Sequence, residues 1–280
     1  MLIWPATRFV AGESREEALA VARELNEEGV LVSLDLLGEN VTDRDRAAGF
    51  RDAYVELVGG IGAAGVDANI SIKLSMLGLD IEQALARDHV ITILQAAAEH
   101  DTWVRIDMEG SPYTQMTLEV FHEVFEEHPN VGVVIQSMLR RSRDDVERLI
   151  DVGARVRLVK GAYKEPAPLA FQEKERVNEE FDRLAERLLD DGVSPAIATH
   201  DQDRIDHALR YVTDRGIPAD RFEFQFLYGM RRKTRRSLVE RGYRMRVYVP
   251  FGEEWLPYFT RRLRERRENV LFVLKTLTRR

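Results

Sequence analysis

Two rhythms of apolar residues alternate along this chain. Runs with every second position apolar occur as VLVSLDLL around 31–37, NISIKLS at 69–75, TWVRIDME at 102–109 and VGVVIQS at 131–137. They continue as RVRLVKGAY at 155–163, SPAIAT at 194–199, RFEFQFL at 221–227 and RMRVYVP at 244–250. A period of two marks a β-strand with unlike faces. Between these runs, RDRAAGFRDAYVELVGGIG, HVITILQAAAEH and NEEFDRLAERLLDDG place apolar residues three and four apart, on one side of a helix. A further helix precedes the first strand, with Ser14 as N-cap before REEALAVARELNEEG.

Eight strands that each lead into a helix predict a distorted (β/α)8 barrel of the TIM type. A doubly wound sheet is the rival, but it would more often show a GxGxxG turn after an early strand, and none occurs. No linker or low-complexity stretch divides the chain, so a single catalytic domain over 1–280 is expected. The Pro-rich KEPAPLAFQEKE after the fifth strand reads as a mobile flap.

Helices cover the outside of such a barrel, so polar alternate positions must point inward or to the rim. Here they are Ser33 and Asp35; Ser71, Lys73 and Ser75; Arg105, Asp107 and Glu109; Arg155 and Arg157; Glu223 and Gln225; and Arg244, Arg246 and Tyr248. A charged interior costs desolvation unless its members pair or serve a ligand. Half of this set is expected to form a buried ion-pair network. The cations outnumber the anions, and that surplus predicts an anionic guest. Barrel active sites lie at the C-terminal strand ends, which singles out Lys73, Asp107, Gln136, Lys160, Thr199, His200 and Tyr248. His89, His100, His122, His128 and His207 fall in helical segments and read as surface or capping residues.

Composition narrows the class. The chain has 280 residues, a net charge of −7 and no cysteine, which excludes disulfides, a thiol nucleophile and thiolate metal ligands. No apolar run approaches the ~20 residues of a membrane span. The opening MLIWPATRFVAG lacks a signal-peptide core, so a cytoplasmic protein is expected. Mild acidity and the absence of a basic, aromatic-laced stripe argue against nucleic acid.

The stretch YVPFGEEWLPYFTRRLRERRE at 248–268 adds a second polar surface. Helical spacing puts Tyr258, Arg261, Arg262 and Glu265 on one side, and Trp255, Leu256, Phe259 and Leu263 on another. A solvated face with an Arg261–Glu265 pair, worth only ~0.3–0.5 kcal/mol, is the plain reading. Beside the mouth of a barrel whose interior is charged, the alternative is a lid whose forked arginines hold a carboxylate.

SIKLS with Lys73, RIDME with Asp107, VVIQS with Gln136, RLVKGAY, ATHD, EFQFLYGM and YFTRR follow in the order found in the proline dehydrogenase family. The chain resembles the compact bacterial, monofunctional form from its first strand to its last helix. The resemblance implies a distorted barrel that binds FAD non-covalently. It also implies oxidation of L-proline to Δ1-pyrroline-5-carboxylate by hydride transfer, with electrons passed to a membrane quinone through peripheral contact at the inner face.

Carried onto this sequence, the resemblance has Arg261 and Arg262 grip the proline carboxylate with help from Lys73, while Tyr248 and Tyr258 shape the ring pocket. Asp107 and Arg157 are the catalytic pair, Asp107 holding the arginine-rich site and Arg157 near the flavin N5. Met108, Gln136, Arg157, Lys160, Gly161, Ala162, Thr199, His200 and Glu265 contact FAD. The residue that takes the amine proton is left open. Family members often carry extra N-terminal helices where this chain has about thirty residues before strand one, so a minimal form and a trimmed chain both fit. The short MLIWP segment is a weak candidate for the membrane contact.

Three rivals remain at this point. A Schiff-base aldolase or lyase would use Lys160 or Lys73, with Asp107 as proton relay. A divalent-metal barrel would use Asp35, Asp107, Glu109 and His200. A non-catalytic barrel would merely bind an anionic metabolite.

Overall fold

The computed structural model describes residues 8–38, 40–256 and 260. Helix α1 (Arg15–Glu27) leads into β1 (Leu31–Leu36), and seven more helix–strand steps follow. They are α2 (Arg44–Ala64), β2 (Ala68–Ile72), α3 (Gln83–Glu99), β3 (Val104–Ile106), α4 (Ser111–Phe125), β4 (Val131–Gln136), α5 (Ser142–Asp151) and β5 (Arg155–Val159). The series ends with α6 (Lys174–Asp191), β6 (Val193–Ala198), α7 (Gln202–Arg215), β7 (Glu223–Leu227), α8 (Arg232–Glu240) and β8 (Arg244–Phe251). All strands are parallel and the sheet closes in sequence order, β8 pairing back onto β1 with Ser33 opposite Tyr248. The predicted barrel is the observed fold. Ser14 caps α1 as expected and makes a reciprocal capping box with Glu17.

The outward faces of the strands form the core. Ile70, Ile72, Val104, Ile106, Phe224 and Met245 are fully buried against helical residues such as Tyr54, Val58, Val90, Leu94 and Phe121. A barrel interior is usually filled by Val, Ile and Leu. Here the lower interior is polar and closed by hydrogen bonds. Arg246 Nε donates to Glu223 Oε1 at 2.9 Å, and its Nη1 donates to Val32 O at 2.8 Å and Asn69 Oδ1 at 3.1 Å. Arg105 Nη1 donates to the carbonyls of Val133 and Arg155 at 3.2 and 2.8 Å. The Trp103 ring takes Arg105, Arg155 and Arg246 over its faces at 4.7, 5.3 and 5.4 Å; Arg246 has Glu223 as its carboxylate, and for Arg105 and Arg155 π-electrons and carbonyls meet the charge instead.

This corrects the expectation drawn from the cation surplus. The excess arginines do not wait at the mouth for an anionic guest. Arg105 is sealed in the lower barrel, Arg155 is half-buried there, and Arg244 is exposed at the start of β8 with Nη1 on Asp220 O at 3.2 Å. At the C-terminal end, Lys73 and Arg157 are each matched by a carboxylate. Strand direction explains the split, because the arginines that open β5 and β8 necessarily sit at the N-terminal end.

Burial alone would raise Glu223, but the Arg246 guanidinium outweighs it and holds the carboxyl below its ordinary value. That pair's contribution is complete above the unfolded glutamate pKa of ~4.3, and it fades as pH falls through the lowered folded value. Glu223→Gln leaves Arg246 buried and unmatched, with an expected loss of about 3–5 kcal/mol at neutral pH. Urea unfolding at pH 7 and in acid checks this: the variant should start lower and lose less on acidification than the native chain.

Two other expectations change. His89, read as a surface or capping residue, is not at the surface: it is 6% exposed, with its Nδ1 3.0 Å from Leu77 O. The loop between β5 and α6 is tied down in its second half, where Leu139 bridges to Ala170 and Phe171 N donates to Met138 O at 2.9 Å. Among the described residues, no helix is long and apolar enough to cross a membrane.

Candidate active site

The C-terminal strand ends open into a cavity of about 830 Å³. Every described residue that the resemblance assigns to the site lines it: Lys73, Asp107, Met108, Gln136, Arg157, Lys160, Gly161, Ala162, Thr199, His200 and Tyr248. Tyr258, Arg261, Arg262 and Glu265 lie outside the described residues, as does the MLIWP segment. The convergence follows from chain geometry. The period of two turns these side chains inward, and the common strand direction brings all the last inward positions to one end.

Asp107 is the hub. Its Oδ1 accepts from Arg157 Nη1 at 2.8 Å and Ser71 Oγ at 3.1 Å, while Oδ2 accepts from Tyr248 Oη at 2.7 Å. Arg157 also donates from Nη1 to Ser71 Oγ and from Nη2 to Ser33 Oγ, at 3.1 and 3.2 Å, and its guanidinium lies 5.2 Å from the Tyr248 ring centroid. The guanidinium plane is therefore fixed from both ends. Burial, with the Asp107 charge beside it, pushes the Tyr248 phenol well up, so it remains a hydrogen-bond donor.

Lys73 follows the end of β2, and its Nζ donates to Asp35 Oδ1 at 2.6 Å. Burial opposes its charge, but Asp35 and then Asp107 outweigh that and hold the ammonium above its ordinary range. Lys160 is also engaged: Nζ donates to Asn178 Oδ1 and Asp201 Oδ2. Both lysines are engaged by carboxylates, and Lys73 is held as a cation, the wrong state for a Schiff-base nucleophile. His200 accepts from Leu227 N–H at 2.9 Å through Nε2, the expected rim role.

The metal reading also meets an obstacle. Its four candidate ligands are individually committed: Asp35 to Lys73, Asp107 to Arg157 and Tyr248, Glu109 to Ser75, and His200 to a backbone N–H. No three acidic or imidazole groups among the described residues converge as a metal site.

Several lining residues were not picked out as site residues. Asp201 both caps α7, accepting from Asp203 N at 3.1 Å, and holds Lys160. An Asp just before a helix signals only the cap; its second partner comes from the neighbouring strand end. Gln225 faces inward in the strand pattern without a role of its own, Glu109 enters only as a metal-ligand candidate, and Tyr163 sits in the KGAY motif. Burial raises Glu109, although Ser75 counters by donating from Oγ at 2.6 Å and from N at 3.1 Å.

Similarity to known proteins agrees with this geometry. A family model described as Proline dehydrogenase matches residues 18–275. Proline dehydrogenase 1 of Bacillus subtilis subsp. natto is 39% identical over 270 residues, covering 96% of this chain and 89% of the relative. The proline dehydrogenase of Deinococcus radiodurans is 39% identical over 275 residues, again 96% of this chain and 89% of the relative. The crystal structure of proline utilization A from Bdellovibrio bacteriovorus inactivated by N-propargylglycine superposes with a TM-score of 0.86 at 28% identity. That match takes in 92% of this chain but 32% of the other, so the chain spans about a third of that protein.

Proposed function

From the premise that the chain belongs to the proline dehydrogenase family, we propose that it oxidises L-proline to Δ1-pyrroline-5-carboxylate, using FAD held non-covalently in the strand-end cavity. The proposal includes one catalytic barrel over 1–280, a quinone as onward acceptor, and a cytoplasmic enzyme that touches the inner membrane face to meet that apolar acceptor. One observation carries this reading: all the described candidate residues converge on a single cavity large enough for a ring system and a small amino acid.

The lining fits a flavin. Gln136 is 2% exposed; its Nε2 donates to Glu109 O at 2.7 Å, which turns the amide so that Oε1 is buried without a partner. A buried orphan acceptor is costly, and a ring N–H would satisfy it. Gly161 lines the cavity with φ of 112°, a conformation open to glycine, and a Cβ there would collide with the Met138 side chain. Met108, Gln136, Arg157, Lys160, Gly161, Ala162, Thr199 and His200 would hold the cofactor, with Glu265 added from the sequence. When bound, the flavin supplies the hydride acceptor, which no side chain can.

The residues themselves position and polarise. Arg157, clamped by Asp107, keeps one fixed positive charge at the cavity without reorganising. Tyr248, anchored through its hydroxyl, offers its ring as a wall for an apolar pyrrolidine. Proline has one strong handle, its carboxylate, and Lys73 with Arg261 and Arg262 is proposed to grip it. A fixed handle lowers the entropic barrier to reaction.

The visible spectrum tests this. Purified protein should be yellow, and its flavin bands should bleach anaerobically with L-proline and stay unchanged with D-proline. A colourless protein that cannot be loaded with FAD, or bands indifferent to L-proline, would overturn the proposal. A covalent adduct with a keto substrate after borohydride would favour the lyase instead.

A further inference from the structure

The loop between β5 and α6 makes one long-range contact that its own ends do not require. Residues 162–164 and 166–169 are exposed, but Glu165 among them is half-buried. Its Oε1 accepts from Ser111 N at 2.8 Å, across 54 positions. Ser111 opens α4, and that helix start is poorly served by its own sequence. Gly110 as N-cap has no side chain to offer, and the first turn holds no acidic residue. The first N–H groups of a helix need an acceptor, and its positive end favours a carboxylate. Glu165 supplies both from outside.

Both ends of this contact continue walls of the cavity. Met108 and Glu109, which run into α4, line one wall, and residues 160–163 line another. Strand β4 lies between β3 and β5, and Gln136 at its end lines the cavity too. The Glu165–Ser111 bond therefore ties the extensions of β3 and β5 together past the end of β4. The stretch 161–164 is held at its start, where Lys160 Nζ donates to Asn178 Oδ1 and Asp201 Oδ2, and at its close by Glu165. Pro166 restricts Glu165 to extended backbone, which leaves the carboxylate little freedom to lose. Beyond that point the loop is fastened separately, with Arg140 N donating to Leu169 O at 2.9 Å and Arg140 Nε to Ala167 O at 3.1 Å. We propose that Glu165 is a positioning residue for the bound cofactor: by capping α4 it latches residues 161–164 at the cavity rim and slows the cofactor's release.

This role rests on the flavin site proposed above, and two variants separate the latch from that site and from a plain helix cap. Ser111→Pro removes the donor while leaving the helix start sound, because proline suits the first helical position and Gly110 before it is already extended. Flavin-loaded native protein, Glu165→Ala and Ser111→Pro are diluted, and FAD release is followed by its fluorescence. Each variant should release FAD roughly 3–30-fold faster than native, the scale of losing one helix cap. The double variant should be no faster than Glu165→Ala, because both changes delete the same bond. Neither side chain lines the cavity, so kcat for proline at saturating FAD should stay within about twofold of native. A cap that serves stability alone would lower the melting temperature of Glu165→Ala and leave release from Ser111→Pro at the native rate, and that result overturns the latch. Native protein that takes up no FAD sinks the flavin site and the latch with it. If Glu165→Ala does not accumulate folded, Ser111→Pro decides by itself.

Discussion

Asp107→Ala should abolish most activity and also lower the melting temperature by about 10 °C or more. The change strips three donors of their acceptor at once: Arg157, Ser71 and the Tyr248 hydroxyl. The Arg157 side chain is 5% exposed, so its charge stays buried with no carboxylate opposite. Breaking one side of such a pair costs about 3–5 kcal/mol, and each kcal/mol moves the midpoint of a domain this size by roughly 2–4 °C. Rate suffers separately, because a guanidinium that can swing no longer presents fixed charge, a loss of about 10²–10³ in kcat. Asp107→Asn should fall between, keeping one acceptor while losing the charge. Thermal melts and single-turnover reduction would check both parts. A variant with native stability and native turnover would show that the hub matters for neither.

Arg262→Met is expected to raise the KM for proline by roughly 30-fold to 10³-fold, the scale of about 2–4 kcal/mol for truncating one partner of a close charge pair. The yellow colour should survive. Lys73 is matched by Asp35, Arg157 by Asp107 and Lys160 by Asp201. A proline carboxylate thus meets no uncommitted charge on the strand ends; the exposed Lys174 at the start of α6 also lines the cavity, and the paired arginines of YFTRR add forked donors from beyond the barrel strands. Steady-state kinetics with a flavin absorbance ratio decides the matter. Loss of colour with an unchanged KM would assign Arg262 to cofactor or fold.

Much of this architecture could be read along the chain. Alternation within IKL, RID and RVRLV told inside from outside, because a strand buried under helices has no other way to satisfy both faces. Strand ends were less legible. β2 stops at Ile72 and β3 at Ile106, although the alternating pattern runs on to Ser75 and Glu109. Past those points the backbone leaves the ladder to form the rim, and local pattern does not register the loss of a neighbour. The burial of His89 was illegible for a related reason. Helix α3 turns it toward the Leu77 carbonyl, and that carbonyl's position depends on the turn after β2.

Residue types and periodicity were enough to specify an eight-stranded parallel barrel and to bring Lys73, Asp107, Gln136, Arg157 and His200 to its C-terminal end. Those are local properties, repeated once per strand. Which charge answers which was beyond that reach. Lys73 meets Asp35 across 38 positions, Arg157 meets Asp107 across 50, and Tyr248 meets Asp107 across 141. These partners are selected by register and by closure of β8 onto β1, and a hydrogen bond depends on distances of tenths of an ångström that no one-dimensional pattern carries. The apparent excess of positive charge therefore became a sealed floor beneath a mouth of matched pairs.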